Sequence, residues 1–100
     1  MTKPAADAPS GPITRIMHIT NQKGLHARAS AKFVQTVEKF NAEVRVSRGH
    51  ETVGGTSIMG LMMLAASPGT SITVEASGKD AAGVIAALED LLARKFGEDE

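Results

Sequence analysis

The sequence predicts a two-layer α+β domain, an open-faced sandwich in which a four-stranded antiparallel sheet carries three helices on one face. The first observation is a hydrophobic period that switches between about two and about 3.6 residues, which gives the order β-α-β-β-α-β-α. The second is that the strands alternate apolar and polar residues, as in a sheet covered on one side only. The third is the length of 100 residues, without Cys, Trp or Tyr, which suits one domain with an aliphatic core.

The predicted strands are short, and most alternate with a period of two. In the second strand Val44 and Val46 face the core and Arg45 faces solvent. A Gly49-His50 turn could join the second and third strands as a hairpin. The four segments are ITRIMHIT (13–20), AEVRVSR (42–48), ETVGG (51–55) and SITVEAS (71–77).

The predicted helices follow the first, third and fourth strands. In the first, Phe33, Val34 and Val37 fall on one face at helical spacing. The last has Asp80 as a predicted N-cap and Gly97 where a C-terminal cap would stand. The three segments are ARASAKFVQTVEKF (27–40), SIMGLMMLA (57–65) and DAAGVIAALEDLLARKF (80–96).

Composition sets the expected domain boundaries and excludes several classes of protein. We expect a flexible tail over 1–12, the folded domain over 13–97 and an acidic tail over 98–100. The start has no apolar run typical of a secretory signal, and no stretch reaches the ~18 apolar residues of a membrane span. A net charge of zero argues against general nucleic-acid or membrane binding. Absence of cysteine favours a reducing cytoplasm, and we expect a monomer without cofactor or metal.

The charges are unevenly distributed along the chain. Residues 1–48 hold eight Lys or Arg and three Asp or Glu, whereas residues 49–100 hold three and eight. No acidic residue occurs between Asp7 and Glu38, and this window contains His26, Arg28 and Lys32, with Arg15 and Lys23 as its other cations. Such an imbalance is often only a solvated surface, but here it also predicts a local positive site for an anion or an acidic partner.

His26 is the candidate reactive residue, although a lone histidine near a loop is more often structural. His18 and His50 take that ordinary interpretation, and no metal-ligand pair or paired Ser or Cys nucleophile stands near any histidine. Gly24 permits a tight turn before a helix that begins around Ala27, so the imidazole stands over a helix N-terminus that favours anions.

The residues that follow His26 suit a phosphate. Arg28 can add a charge-assisted hydrogen bond, and the small side chains of Ala27, Ala29 and Ser30 leave the approach open. Imidazole is a nucleophile that is largely neutral at pH 7. A nucleophilic nitrogen beside a phosphate cradle is what a transient phosphohistidine requires.

Two segments resemble the HPr family, the histidine-containing phosphocarriers of the bacterial phosphoenolpyruvate-dependent phosphotransferase system. GLHARASAKF resembles the active-site segment, and TSIMGLMML resembles the segment around the regulatory serine, with Ser57 at the family's separation from His26. The resemblance covers about residues 13 to 96. It implies a phosphoryl carrier, not a free-standing enzyme, in which His26 accepts the group on Nδ1 from phosphorylated enzyme I and passes it to an enzyme IIA domain.

The same resemblance assigns further residues. It implies that Arg28 stabilises the phosphoryl group. Gly24, Ala27 and Ala29 are predicted to help hold the group because of their place at the helix N-terminus. An HPr kinase/phosphorylase could act on Ser57, which is also a predicted helix cap. The family usually has Pro after the Arg, whereas this chain has Ala29, which restores a backbone N–H there. We therefore expect the start of the helix to be less rigid and the function to be retained.

The short helix after Ser57 is apolar almost all round, which leaves two interpretations open. Leu61 and Leu64 are predicted core. Either the other apolar residues are also buried, or they form an exposed patch, and the resemblance favours the patch. The predicted docking residues are Lys32, Ile58, Met59 and Met62.

Two other classes of function compete with the carrier. A metal- or ligand-binding module needs ligand clusters that the sequence lacks. A regulatory interaction protein would use the helix around Met59 and leave His26 incidental. Within the family, the IMGLMML helix and FGEDE end look more like the regulatory, nitrogen-type relay than the sugar-transport branch.

Overall fold

The computed structural model describes residues 12–97, so the predicted tails, apart from Pro12, lie outside the described residues. The predicted order of elements is confirmed. The elements are β1 (Ile13–His18), α1 (Ala27–Glu38), β2 (Glu43–Arg48), β3 (Glu51–Gly54), α2 (Ile58–Met63), β4 (Ser71–Ser77) and α3 (Ala81–Ala93), followed by a 3-10 turn (Lys95–Gly97).

The sheet is antiparallel throughout, with the strand order β1-β4-β2-β3. β4 therefore pairs with both β1 and β2. The predicted hairpin is confirmed, since Arg48 pairs with Glu51 across Gly49 and His50. Gly49 has a φ of +63°, as the first central position of a type II′ turn requires.

The core lies between the inner face of the sheet and the three helices. Val44 and Val46 are buried and Arg45 is exposed, as the alternation predicts. α1 buries Phe33, Val34 and Val37. The two-layer open-faced sandwich predicted from the sequence is thus confirmed, and it leaves one face of the sheet to solvent.

The ends of α3 differ from the prediction. Asp80 occupies the N-cap position, but its carboxylate accepts a hydrogen bond from the Asn41 N–H at 2.7 Å and does not cap the helix. The helix stops at Ala93, before the predicted end, because Lys95 and Phe96 turn with φ values of +55° and +58°. That turn places Phe96 in the core, and it ends the helix, which was the role predicted for Gly97.

Across residues 12–97, none of the helices combines the length and the apolar character needed to cross a bilayer.

Candidate functional site

His26 lies at the N-cap of α1, directly between the loop after β1 and the first helical turn. Its backbone is extended, with φ −80° and ψ −177°, and its carbonyl accepts the Ser30 N–H at 2.8 Å. The Nδ1 atom of the imidazole accepts the N–H of Arg28 at 3.3 Å. Nδ1 therefore faces the helix N-terminus. The side chain is half-buried, so part of the ring remains accessible.

The loop before His26 is held against the segment that follows α2. Leu25 donates its N–H to the carbonyl of Ala66 at 2.9 Å. Gly24 has a φ of +66°, and a Cβ built there would lie 2.4 Å from the same carbonyl oxygen. Gly24 is therefore required both by its left-handed conformation and by the close approach of the two segments.

Asn21 and Ser30 brace this loop from inside; Asn21 was not predicted, and Ser30 was predicted only as a small residue beside the approach to His26. Both side chains are fully buried. Asn21 donates Nδ2–H to the Gly24 carbonyl at 2.8 Å, and Ser30 donates its hydroxyl to the Leu25 carbonyl at 3.3 Å. An Asn three residues before a Gly in a turn is the signal that could have identified Asn21.

The first turn of α1 presents backbone N–H groups and no acidic residue. The first N–H groups of a helix have no acceptor within the helix, and Ala27, in this turn, is exposed to solvent. Ala29 is fully buried, whereas the side chains of Ala27 and Arg28 are exposed. The structure thus brings His26, Ala27 and Arg28 together at the surface, as predicted. Ala29 and Ser30 were also predicted to line the approach, but they are buried beneath it because they lie on the core side of α1.

Two of the cations in the acid-free part of the sequence are engaged by other residues in the structure. Arg15 lies 3.9 Å from the Glu89 carboxylate of α3, and Lys32 donates to the Phe96 carbonyl at 2.5 Å. Lys23 lines a hollow of about 240 Å³ with His26, Leu25 and residues 65–67. Lys23 and Arg28 are therefore the cations that the structure leaves for an anion at His26.

The described part of the chain contains no group of three or more His, Cys, Asp or Glu side chains placed to hold a metal ion.

Ser57 is the N-cap of α2, as predicted. Its Oγ accepts the Gly60 N–H at 3.0 Å, and the residue is exposed. A Cβ on Gly60 would lie 2.9 Å from this Oγ and from the Val53 Cβ, so the first turn of α2 packs closely on β3.

The prediction that α2 exposes an apolar patch is confirmed, and the alternative that all its apolar residues are buried is wrong. Leu61 and Leu64 are buried, whereas Ile58, Met59 and Met62 are exposed. Met63 is the most exposed of all and was not predicted. We call Ile58, Met59, Met62 and Met63 the α2 patch. Its role in docking stays a prediction.

Arg48 fixes the far end of α2 and was also missed. Its Nη1 donates to the Leu64 carbonyl at 3.2 Å, where a cation also complements the negative end of the helix dipole. The residues after Leu64 line the hollow beside His26. The α2 patch and the imidazole are therefore held in a fixed relation by Arg48 and by the contact between Leu25 and Ala66.

Comparisons with known proteins agree with this geometry. A family model described as the PTS HPr component phosphorylation site matches residues 13–94. The phosphocarrier protein HPr of Neisseria meningitidis serogroup A is 52% identical over 84 residues, which cover 84% of this chain and 94% of that protein. The phosphocarrier protein NPr of Shewanella violacea is 35% identical over 86 residues, covering 86% and 94%.

Solved structures agree as well. The crystal structure of HPr-C-His from Thermoanaerobacter tengcongensis superimposes with a TM-score of 0.84 at 41% identity, covering 88% of this chain and 99% of that one. The match extends over nearly all of the residues that the structure describes. The chain therefore belongs to the HPr family, and it is a phosphocarrier protein of the phosphotransferase system, not an enzyme.

Proposed function

We propose that His26 accepts a phosphoryl group on Nδ1 from phosphorylated enzyme I and passes it to an enzyme IIA domain. The observation that carries the proposal is the hydrogen bond from the Arg28 N–H to Nδ1 at 3.3 Å. A nitrogen that accepts a hydrogen bond keeps its lone pair, so the neutral ring carries its proton on Nε2. The nucleophilic atom is thereby held at the N-terminus of α1.

In the transfer, the lone pair of Nδ1 forms a bond to phosphorus as the bond from phosphorus to the donor breaks. The Arg28 N–H then loses Nδ1 as its acceptor and can donate to a phosphoryl oxygen, and the N–H group of Ala27 lies in the same turn. The proposed contribution of Ala29 would require a small movement of this turn, because Ala29 is buried. Catalysis in such a transfer depends mainly on positioning and on stabilisation of charge.

The Arg28 side chain adds charge without binding the group too tightly. Its guanidinium is exposed, and solvent weakens the attraction between exposed charges. Because a carrier must release the phosphoryl group to its acceptor, moderate stabilisation suits the role better than a buried ion pair.

The test is incubation with enzyme I and phosphoenolpyruvate, followed by intact-protein mass at neutral or alkaline pH. We expect one acid-labile phosphoryl addition in the parent, none in His26→Ala, and the parental result in the control His50→Ala. An addition that persists in His26→Ala would refute the assignment. Normal activity of His26→Ala in the cell would favour an interaction protein in which His26 is incidental.

We also propose that the α2 patch is the docking surface for enzyme I and the IIA domain. A cluster of exposed apolar side chains beside a reactive group is typical of a partner site, and methionine adapts to several partners. Lys32 was predicted to dock as well, but its ammonium already donates to the Phe96 carbonyl. Its proposed part in docking is therefore restricted to its side-chain stem.

Ser57 is the proposed regulatory site, with an HPr kinase/phosphorylase as the modifying partner. The hydroxyl is exposed at the start of the α2 patch. Phosphorylation would add a charge of about −1.5 to −2, which the N-terminus of a helix tolerates but an apolar interface does not. We expect Ser57→Asp to slow phosphorylation of His26, whereas Ser57→Asn, an equally good but uncharged cap, should not. Equal rates for the two variants would contradict this mechanism.

The branch of the relay is decided by its acceptor. The sequence-based prediction is a regulatory, nitrogen-type relay, while the higher identity to the relative named HPr than to the one named NPr favours the sugar-transport alternative. Incubating the phosphorylated carrier with a IIA domain of each type, and measuring which accepts the group faster, separates the two.

The expected monomeric state and cytoplasmic location stay predictions. A similar structure, 44% identical with a TM-score of 0.69, is described as an HPr dimer from Thermoanaerobacter tengcongensis. Light scattering of the purified chain at working concentration would measure its own state.

A further inference from the structure

The α2 patch contains three methionines in a chain that has few other oxidisable side chains. The chain has no Cys, Trp or Tyr, and its five Met include Met59, Met62 and Met63. We propose that Met59 and Met63, followed by Met62, form a site of reversible oxidation to methionine sulfoxide that weakens docking of phosphorylated enzyme I. The effect on docking rests on the function proposed above, whereas the order of oxidation does not.

Exposure selects which thioethers react. Met63 is 75% exposed and Met59 is 71% exposed, whereas Met62 is 40% and Met17 is 4% exposed. Oxidation requires the oxidant to reach sulfur, so the two most exposed residues should react first. Met17, inside the core, is a built-in control within the same chain.

The spacing concentrates the modification on one surface. Met59 and Met63 are four residues apart in α2, so their side chains lie next to each other on the same helix face. Oxidation of both therefore changes one continuous strip of the α2 patch instead of two separate places. The helix itself is held by Ser57 and Arg48, neither of which reacts.

The chemistry with hydrogen peroxide is a two-electron oxidation of sulfur. The thioether sulfur attacks one peroxide oxygen, the S–O bond forms and the O–O bond breaks. The departing hydroxide takes up the remaining proton of the transferred oxygen, directly or through solvent, and leaves as water. Sulfur loses two electrons, peroxide gains them, and methionine sulfoxide reductase with a thiol reductant reverses the change.

The product is unsuited to an apolar interface. A sulfoxide oxygen is a strong acceptor, and burying it without a donor costs free energy that the thioether did not. Because His26 is not altered, the loss should appear in docking. We expect the KM for this protein in the enzyme I reaction to rise about tenfold or more, with little change in kcat.

The first experiment maps the oxidation. The full-length protein is treated with hydrogen peroxide, quenched with catalase, and digested for peptide mass analysis at several times. We expect an added oxygen first on Met59 and Met63, then on Met62 and last on Met17. Oxidation of Met17 as fast as Met59 would overturn the site assignment, whether or not the protein is a carrier.

The second experiment measures the consequence. For each protein, the KM and kcat with enzyme I are compared before and after peroxide. The parent and the control Met17→Leu should lose docking and regain it after reductase treatment. A triple variant, Met59→Leu, Met62→Leu and Met63→Leu, should give the same values before and after, whatever its starting KM. If the triple variant is as sensitive as the parent, the oxidation acts elsewhere and the proposal fails.

The two proposals fail in different ways. If enzyme I does not phosphorylate the untreated protein, the proposed function is wrong, and the proposed effect of oxidation on docking falls with it. If it does phosphorylate the untreated protein but the oxidised parent retains its KM, only the regulatory consequence of oxidation is wrong.

Discussion

A methyl group on Gly24 should disturb the loop before His26 far more than a methyl group at an open turn. The Cβ of alanine would lie 2.4 Å from the Ala66 carbonyl oxygen, a separation that real Cβ contacts do not show. The two segments must move apart by more than half an ångström. That movement acts directly on the 2.9 Å hydrogen bond from the Leu25 N–H to the same oxygen.

The expected loss of stability has two parts. The left-handed conformation costs alanine about 1 kcal/mol relative to glycine. The clash adds an overpacking cost of about 1–3 kcal/mol. Gly49 supplies the control, because its φ of +63° matches the +66° of Gly24 while a Cβ there meets nothing within 4 Å. Gly24→Ala should therefore be less stable than Gly49→Ala by about 2 kcal/mol, which lowers the Tm by a further ~8–16 °C.

Urea unfolding followed by far-UV circular dichroism is the suitable assay, since the chain has no Trp or Tyr for fluorescence. Both variants should remain folded at 25 °C, because domains of this size are typically stable by about 5–15 kcal/mol. The rate of phosphorylation by enzyme I at that temperature then reports the geometry of the loop. We expect enzyme I to phosphorylate Gly24→Ala slowly and Gly49→Ala at the parental rate.

Equal free energies of unfolding for the two variants would refute the reasoning. The Ala66 carbonyl would then accommodate the methyl group without cost. A normal phosphorylation rate in a strongly destabilised Gly24→Ala would refute a different part, namely that the contact between the two segments sets the position of the imidazole.

Substitutions at three further positions test the surroundings of the site. Arg28→Ala should slow phosphoryl acceptance by about 10- to 100-fold, because a hydrogen bond to a charged group is worth about 1.5–3 kcal/mol. Arg28→Lys should recover part of the rate. An unchanged rate in Arg28→Ala would show that the guanidinium is not used. Arg48→Gln removes the hydrogen bond to the Leu64 carbonyl and should lower the free energy of unfolding by about 1 kcal/mol. Amide hydrogen exchange should accelerate in α2 but not in α1. Equal acceleration in both helices would contradict a local role. Lys32→Met removes the donor to the Phe96 carbonyl and should cost about 1–2 kcal/mol in urea unfolding, whereas no loss would mean that water replaces the ammonium.

Much of the fold follows from short-range pattern. The alternation around Val44 and Val46 is set by the two-residue period of a strand, and it identifies the inner face without tertiary information. Capping by Ser57 is equally local, because the hydroxyl reaches a backbone N–H three residues ahead. The position of His26 at the start of α1 was predicted because the residue stands at a boundary between two periodic segments; its role as the nucleophile stays a prediction.

The rest depends on contacts between residues far apart in the chain. Asp80 occupies the predicted N-cap, but the Asn41 N–H competes successfully for its carboxylate. Arg15 belongs to the basic window in sequence, yet the fold places it against Glu89 of α3. No local signal predicts either partner.

The exposure of Met63 in α2 and the end of α3 were not predicted, for a different reason. α2 has only six residues, so its helical period identified Leu61 and Leu64 as core but was too short to assign Met63, which is exposed. At the end of α3, Lys95 and Phe96 adopt a left-handed turn that sequence preference assigns to glycine. Burial of the Phe96 ring accounts for that choice, and only the folded core reveals it.

The strand order has a consequence for when the protein becomes active during its synthesis. β1 is made first but pairs only with β4, and the loop that carries His26 is attached to Ala66 just before that strand. A nascent chain that has not yet released residues 71–77 from the ribosome has no partner for β1 and cannot complete the sheet. Closing such a long loop is slow and comes late. We therefore expect enzyme I to phosphorylate His26 only in chains that have released residues 71–77 and formed the sheet.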